Sequence, residues 1–285
     1  MSTITASDIF SVLRRGCRDI YFLVSGFDYH HKEKKKIICY PRRPFNPLYM
    51  MSKIRWGSPV KFTSSPQEAD LEIYFDDHTN SHFSKIPFSK NRKSINKNCN
   101  NISKSYVDDV FSKVFGYSLT VNPLENNGLI LEKSEENAKH DGKIIQSPIL
   151  SDFLDKSKVY QKVINNIYND FAIDYRVVWI KDDIALTYVK YALKINRFKS
   201  KTVYSKVVPV KKLFSNQEIN LIKKFCKNFK LDFGELDILR DRNTKKIYIV
   251  DVNKTAWGPP DKIVLKDGKK AIQLINKKFQ ESYLN

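Results

Sequence analysis

Three oxygen-bearing side chains near the end of the chain have the spacing of a metal-ligand set: Asp237, Asp251 and Asn253. Asp251 and Asn253 stand two residues apart in IYIVDVN, and side chains at i and i+2 of a strand leave the same face. Asp237 lies in GELDILR, 251 − 237 = 14 residues earlier, and the intervening DRNTKK has the composition of a turn. Folded back as a hairpin, the two strands bring three oxygen donors together. Two carboxylates and an amide suit Mg²⁺, which takes oxygen ligands and completes its octahedron with water or phosphate. On spacing alone a second reading stands beside this one. The acids can equally form the polar face of an edge hairpin in water.

The elements that must carry this hairpin are legible as hydrophobic patterns. Strand-like runs occur at 19–25 (DIYFLVS), 35–40 (KKIICY) and 70–76 (DLEIYFD), separated by Pro, Gly and Ser. They predict a small α/β layer over residues 1–95. Residues 79–104 are rich in Asn, Ser and Lys and read as a linker or long surface loop. Helical spacing of Val107, Val110, Phe111 and Val114, stopped by Gly116, predicts a helix over 105–115. Strands follow at 128–133, 143–147, 158–164, 174–180 and 184–193. The capping box Ser215-x-x-Glu218 opens a second helix. A last amphipathic helix runs through Ile272, Leu274, Ile275 and Phe279. No internal repeat is visible.

Composition excludes several classes. The 285 residues are 41% hydrophobic and 28% charged, which fits a globular chain and not a disordered one. No apolar run reaches the roughly 18 residues that span a bilayer. The N-terminal stretch lacks the order of a secretory signal, so a cytoplasmic location is expected. The four cysteines (17, 39, 99 and 226) form no Cys-x-x-Cys pair and are expected to be plain reduced thiols. The net charge of +19 is spread along the chain. No zinc-finger, RNA-recognition or zipper signature accompanies it, so nucleic acid is not the expected main partner. From Ile184 to Asn216 the cations are Lys190, Lys194, Arg197, Lys199, Lys201, Lys206, Lys211 and Lys212, apart from any acid. This basic stretch reads either as a solvated loop or as a receiver for an anionic acceptor, small molecule or polymer.

DFGELDILRDRNTKKIYIVDVN resembles the metal-binding end of the ATP-grasp superfamily, in which an acid on one strand is followed after a hairpin by Glu/Asp-x-Asn. TAWGPP, at 255–260, resembles the Pro/Gly loop that often follows. The similarity spans roughly residues 105–283. It implies an α+β ATP-grasp fold of two lobes clamping ATP (105–285), preceded by a small α/β pre-ATP-grasp domain (1–95). It implies ATP and Mg²⁺ as cofactors, with Asp237, Asp251 and Asn253 holding the metal. Lys133, ending the strand GLILEK, takes the place of the family's phosphate lysine. SEENAKHDGKII takes the place of its glycine-rich loop, with only Gly142 present, and N–H groups around Asn137, His140, Asp141 and Gly142 would cover the phosphates. His140 is also open to a general-base reading or to none. The strand KVYQKVI resembles the adenine hinge, using the backbone near Gln161, Lys162 and Val163. Arg176 matches the arginine of an Asp-x-Arg pattern, and Lys190 matches a basic residue, commonly Arg, on the next strand. Both would counter charge on the transferring phosphoryl group. The activity implied is a carboxylate-amine ligase working through an acylphosphate. Direct phosphoryl transfer to a hydroxyl, or a non-catalytic nucleotide-binding module, are the alternatives.

Overall fold

The computed structural model describes residues 16–18, 20–21, 33–81, 86–137, 139, 141–197 and 202–285. Three sheets organise it. The first is parallel, formed by β1 (Lys35–Pro41), β2 (Val60–Phe62), β3 (Leu71–Phe75) and β4 (Lys93–Ile95) in the order β2-β1-β3-β4. Helix α1 (Met50–Gly57) packs between it and the rest of the chain through Met50, Met51 and Ile54.

Helix α2 (Lys104–Phe115) is capped by Ser103, whose hydroxyl accepts from the Tyr106 N–H, and closed by Gly116 at φ 77°. A small antiparallel sheet of β5 (Gly128–Ser134), β6 (Lys143–Ser147) and β7 (Lys158–Lys162) follows, in the order β6-β5-β7. The largest sheet then forms from β8 (Ile167–Tyr168), β9 (Phe171–Ile180), β10 (Asp183–Leu193), β11 (Thr202–Val208), β12 (Phe233–Arg240) and β13 (Ile247–Asn253). Its order is β11-β10-β9-β12-β13, with β8 beside β9. Helix α3 (Asn216–Phe229) enters through the complete Ser215/Glu218 capping box, and α4 (Leu265–Phe279) closes the chain.

The large sheet separates two cores. Val177, Trp179, Leu236, Ile238, Ile249 and Val252 point to one face and pack under α2 and α3. Val178, Ile180, Leu186 and Phe233 point to the other and meet α1, α4 and the parallel sheet. Full burial of each such side chain contributes about 1.5–3 kcal/mol. The second face is apolar only along part of its length. Further along the same strands it carries Asp174, Arg176, Lys190 and Asp237, and there it forms the floor of a cleft.

Three expectations from sequence need correction. Of the strand expected at 19–25, Ile20 and Tyr21 are helical, and the rest lies outside the described residues. The segment 79–104 is not simply a surface loop: β4 adds a fourth strand to the parallel sheet, paired Leu71 to Lys93 and Ile73 to Ile95. Beyond it Asn96 is fully buried, bonding the Asp232 and Phe233 N–H groups and the Phe233 carbonyl through its side chain. The segment around Lys206 is likewise not a loop. It is the edge strand β11, paired with β10 and bridged on its far side by Ile263. Lys199 and Lys201 lie outside the described residues. No helix among the described residues is long and apolar enough to cross a membrane.

Candidate functional site

A cleft of about 630 Å³ opens between the small sheet and the large one. Lys133, Gly142, Gln161, Lys162, Val163, Arg176, Lys190, Asp237, Asp251 and Asn253 all line it. His140, like Lys199 and Lys201, lies outside the described residues.

The floor is set by register. Asp237 pairs with Asp251 on one side and with Arg176 on the other, so one cross-strand row holds two acids and a guanidinium. Glu235 pairs with Asn253 in the next row. Strict alternation would put Ile249 on the same face as Asp251. A bulge at this point shifts the pairing from Asp237↔Asp251 to Ile238↔Ile249, the extra residue being Val250. Ile249 thereby stays in the helix-side core while Asp251 faces the cleft. Gly234 permits the close approach of β12 and β13, because a Cβ there would sit 2.6 Å from the Asn253 carbonyl oxygen.

Arg176 holds Asp237 through two bonds, Nε to Oδ1 at 2.8 Å and Nη2 to Oδ2 at 2.9 Å, the bidentate fork of a strong ion pair. Lys190 approaches the same carboxylate at 3.8 Å. Burial would push the Asp237 carboxyl up, but the Arg176 and Lys190 charges outweigh it and hold the group well below the usual carboxylate range. Asp251 differs. Its Oδ1 is buried without a hydrogen-bond partner among the described residues, and burial followed by the charge of Asp237 raises its pKa. An orphaned anionic oxygen beside a second acid fits a hard divalent cation. The Asn253 Oδ1 accepts from the Thr255 N–H at 2.9 Å and hydroxyl at 3.1 Å, so it also caps the turn into the next loop.

The walls carry cations and apolar surface. Burial pushes the Lys133 ammonium down to about 8, against the pull of Asp251. Lys104, at the first position of α2, was not legible as a site residue from sequence. It lines the cleft, and burial lowers its pKa against Asp251 and Glu135. Its Nζ donates to the Glu136 carbonyl at 2.7 Å, tying the helix to the 135–142 loop. That loop is fixed further by Asp141, which accepts from the Ser134 N–H and pairs with Lys158 at 3.2 Å. The Asn137 N–H reaches the Thr79 hydroxyl in the parallel-sheet region. Leu119, Leu131, Ile164, Leu239 and Val250 make the apolar lining next to Gln161, Lys162 and Val163. The Lys162 N–H is already bonded to the Leu119 carbonyl at 2.9 Å, which removes it from the hinge donors.

The loop after Asn253 closes the cleft. Met50 N–H bonds to the Ala256 carbonyl, Gly258 N–H bonds to the Leu48 carbonyl, and the Tyr49 and Trp257 rings meet edge to face at 5.3 Å. Trp257, Gly258, Pro259 and Pro260 thereby line the cleft. Of the basic stretch, Lys190 and Arg197 face the same space, and the Arg197 Nη2 donates to the Ile164 carbonyl at 2.6 Å.

Solved structures share this architecture. VanG D-Ala:D-Ser ligase from Enterococcus faecalis aligns with a TM-score of 0.58 at 9% identity, covering 88% of this chain and 100% of that one. D-alanine–D-alanine ligase from Bacillus anthracis, complexed with ATP, aligns at 0.55 and 10% identity, over 89% and 98%. The chain has the ATP-grasp fold. ATP-grasp ligase PsnB complexed with a phosphomimetic precursor variant, Mg and ADP aligns at 0.52 and 9% identity, over 85% and 99%. No protein-family model and no curated protein matches the sequence. In ATP-grasp terms, the small sheet and the large sheet are the two α+β lobes, and the cleft lies between them.

The buried thiols of Cys39, Cys99 and Cys226 lie away from this cleft, and burial pushes those of Cys39 and Cys99 up to about 12. They are not nucleophiles at neutral pH. Glu235 is the second residue that sequence reasoning missed. It is only 1% exposed, on the cleft-side face of β12, and burial raises its pKa to about 7 despite Arg176 beside it. An acid two residues before Asp237 was its one signal.

Proposed function

We propose that the chain is a Mg-ATP-dependent ligase that activates a carboxylate as an acylphosphate for attack by an amine or similar nucleophile. The observation that carries this reading is the division of the cleft: half-buried lysines on the wall, paired acids with two cations on the floor, and an apolar slot beside Gln161. An adenine would occupy the slot, with the Gln161 and Val163 backbone at its edge and the Lys162 N–H already spent on Leu119. Lys104, Lys133 and the Gly142 backbone, all lining the cleft, are suited to the phosphates, whereas the Asn137 N–H is already bonded to Thr79. Asp237, Asp251 and Asn253 would hold Mg²⁺, which when bound neutralises phosphate charge.

A carboxylate oxygen of the acceptor attacks the γ-phosphorus, and the bond to the ADP oxygen breaks. The nucleophile then attacks the acyl carbon, inorganic phosphate leaves, and the nucleophile's proton passes to solvent. Arg176 and Lys190 stabilise charge on the phosphoryl oxygens, and the work is positioning and electrostatics more than proton transfer. Arg197 and Lys190 favour an anionic acceptor. PsnB, an ATP-grasp ligase of this fold complexed with a minimal precursor, supports the ligase reading over a kinase.

Two measurements test it. Nucleotide affinity should depend on Mg²⁺ in the wild type and fall by about tenfold or more in Asp251→Ala, a change of about 1.4 kcal/mol. Equal affinity with and without the ion, in both proteins, defeats the metal assignment. An acceptor screen should then give ADP and free phosphate together. Label from the γ-phosphate retained on the acceptor would make the chain a kinase instead.

A further inference from the structure

The Arg176 guanidinium lies between two carboxylates of the same strand. Its Nε and Nη2 are spent on Asp237, while Nη1 faces Glu235 Oε2 at 3.5 Å, beyond a good hydrogen bond. Both Glu235 oxygens are buried without a hydrogen-bond partner among the described residues. Leaving a buried carboxylate unbonded is costly, and a guanidinium nitrogen stands 3.5 Å away. Asp237, by contrast, has two cations on it already, Arg176 and Lys190. A divalent ion joining Asp237 would set a third positive centre against a guanidinium 2.8 Å from the same oxygen. In a half-buried site that repulsion is screened less than in open water. Glu235 leaves Arg176 somewhere to go: it is two residues away, on the same face, with its acceptors unspent.

We propose that Glu235 is a positioning residue that takes over the Arg176 guanidinium when a divalent cation engages Asp237, so that metal binding moves Arg176 from one carboxylate to the other. This rests on the reading of Asp237 as a metal ligand. It makes the arginine's place depend on the ion, so that a cation-free site holds Arg176 back on Asp237.

Mn²⁺ titrated into the full chain with ADP, read by the loss of the free-ion resonance signal against an ADP blank, tests the proposal. Glu235→Gln should weaken Mn²⁺ binding about tenfold, and the loss should shrink to under twofold in an Arg176→Met background. A loss of equal size in that background would show that Glu235 acts as a simple through-space charge, and would overturn the proposal. Should Arg176→Met fail to fold, the Arg176 Nε–H resonance decides in the wild type. It should shift when Mg²⁺ and ADP are added and stay in place in Glu235→Gln. An unmoved wild-type resonance with bound metal overturns the exchange while leaving the metal site standing. A wild-type chain that binds no Mn²⁺ overturns the metal site itself, and the exchange with it.

Discussion

Lys133 shows how burial sets the chemistry of a single group. Its folded pKa of about 8 lies below the 10.5 of a free lysine. The unfolded chain therefore binds more protons at high pH, and stability should rise from about pH 8 upward to the unfolded value. A bound polyphosphate acts the other way and favours the ammonium. Nucleotide binding should thus take up a proton above about pH 8, and affinity should fall as pH rises through that value. Calorimetry in buffers of different ionisation enthalpy reads the uptake directly. Uptake absent at pH 9, or unchanged in Lys133→Met, would remove Lys133 from the phosphate site.

Elements differ in how far their own residues announce them. β9, β12 and β13 were legible because buried Ile, Leu and Val mark them, β5 because of its apolar run Leu129–Leu131, and α3 because Ser215 and Glu218 cap it. β4 was not, since three residues of Lys, Ser and Ile in polar text carry no period, and its strand character comes from the partner β3. β11 was hidden by the basic text around it; the strand itself holds one lysine, Lys206, a charge that an edge strand can bear. The candidate site divides in the same way. Asp237, Asp251 and Asn253 could be grouped because period 2 and one turn suffice. Lys104 could not, because it looks like any lysine at a helix start, and its burial comes from the 135–142 loop. Asn96 joins β4 to β12 by four hydrogen bonds, three through its side chain and one from its N–H to Asp232. Asn96→Ala deletes the three and imposes a φ of 57° on a residue that rarely accepts it. Denaturant melts should show a loss of about 3 kcal/mol. A loss under about 1 kcal/mol would mean that this junction contributes little.

The parallel sheet and the ATP-grasp lobes meet around a fully buried lysine. Lys254, directly after Asn253, donates to the Ser81 hydroxyl at 2.7 Å and lies over the Tyr74 ring at 5.2 Å. The Ser81 hydroxyl itself donates to Asp76 at 3.1 Å, and burial lowers the lysine's pKa. Its desolvation is offset by one neutral oxygen and an aromatic face, with no carboxylate in direct contact among the described residues. Lys254→Met keeps the volume, removes the charge and leaves Ser81 bonded to Asp76. We expect a melting temperature unchanged or raised by a few degrees. A fall of more than about 5 °C would mean that the ammonium, not the packing, joins the two parts.

The bulge at Val250 has a consequence for how this chain tolerates change. It works as a phase shifter: before it Ile247 and Ile249 face the helices, and after it Asp251 and Asn253 face the cleft. Replacing Val250 by another apolar residue alters one partly buried side chain of the cleft lining and leaves both phases intact. Deleting it would keep every other residue and the hairpin turn, yet bring Ile249 and Asp251 into conflict over which surface each meets. For this position the length of the text matters more than its letter, so substitutions and single-residue deletions here should have very unequal fates in any library of variants.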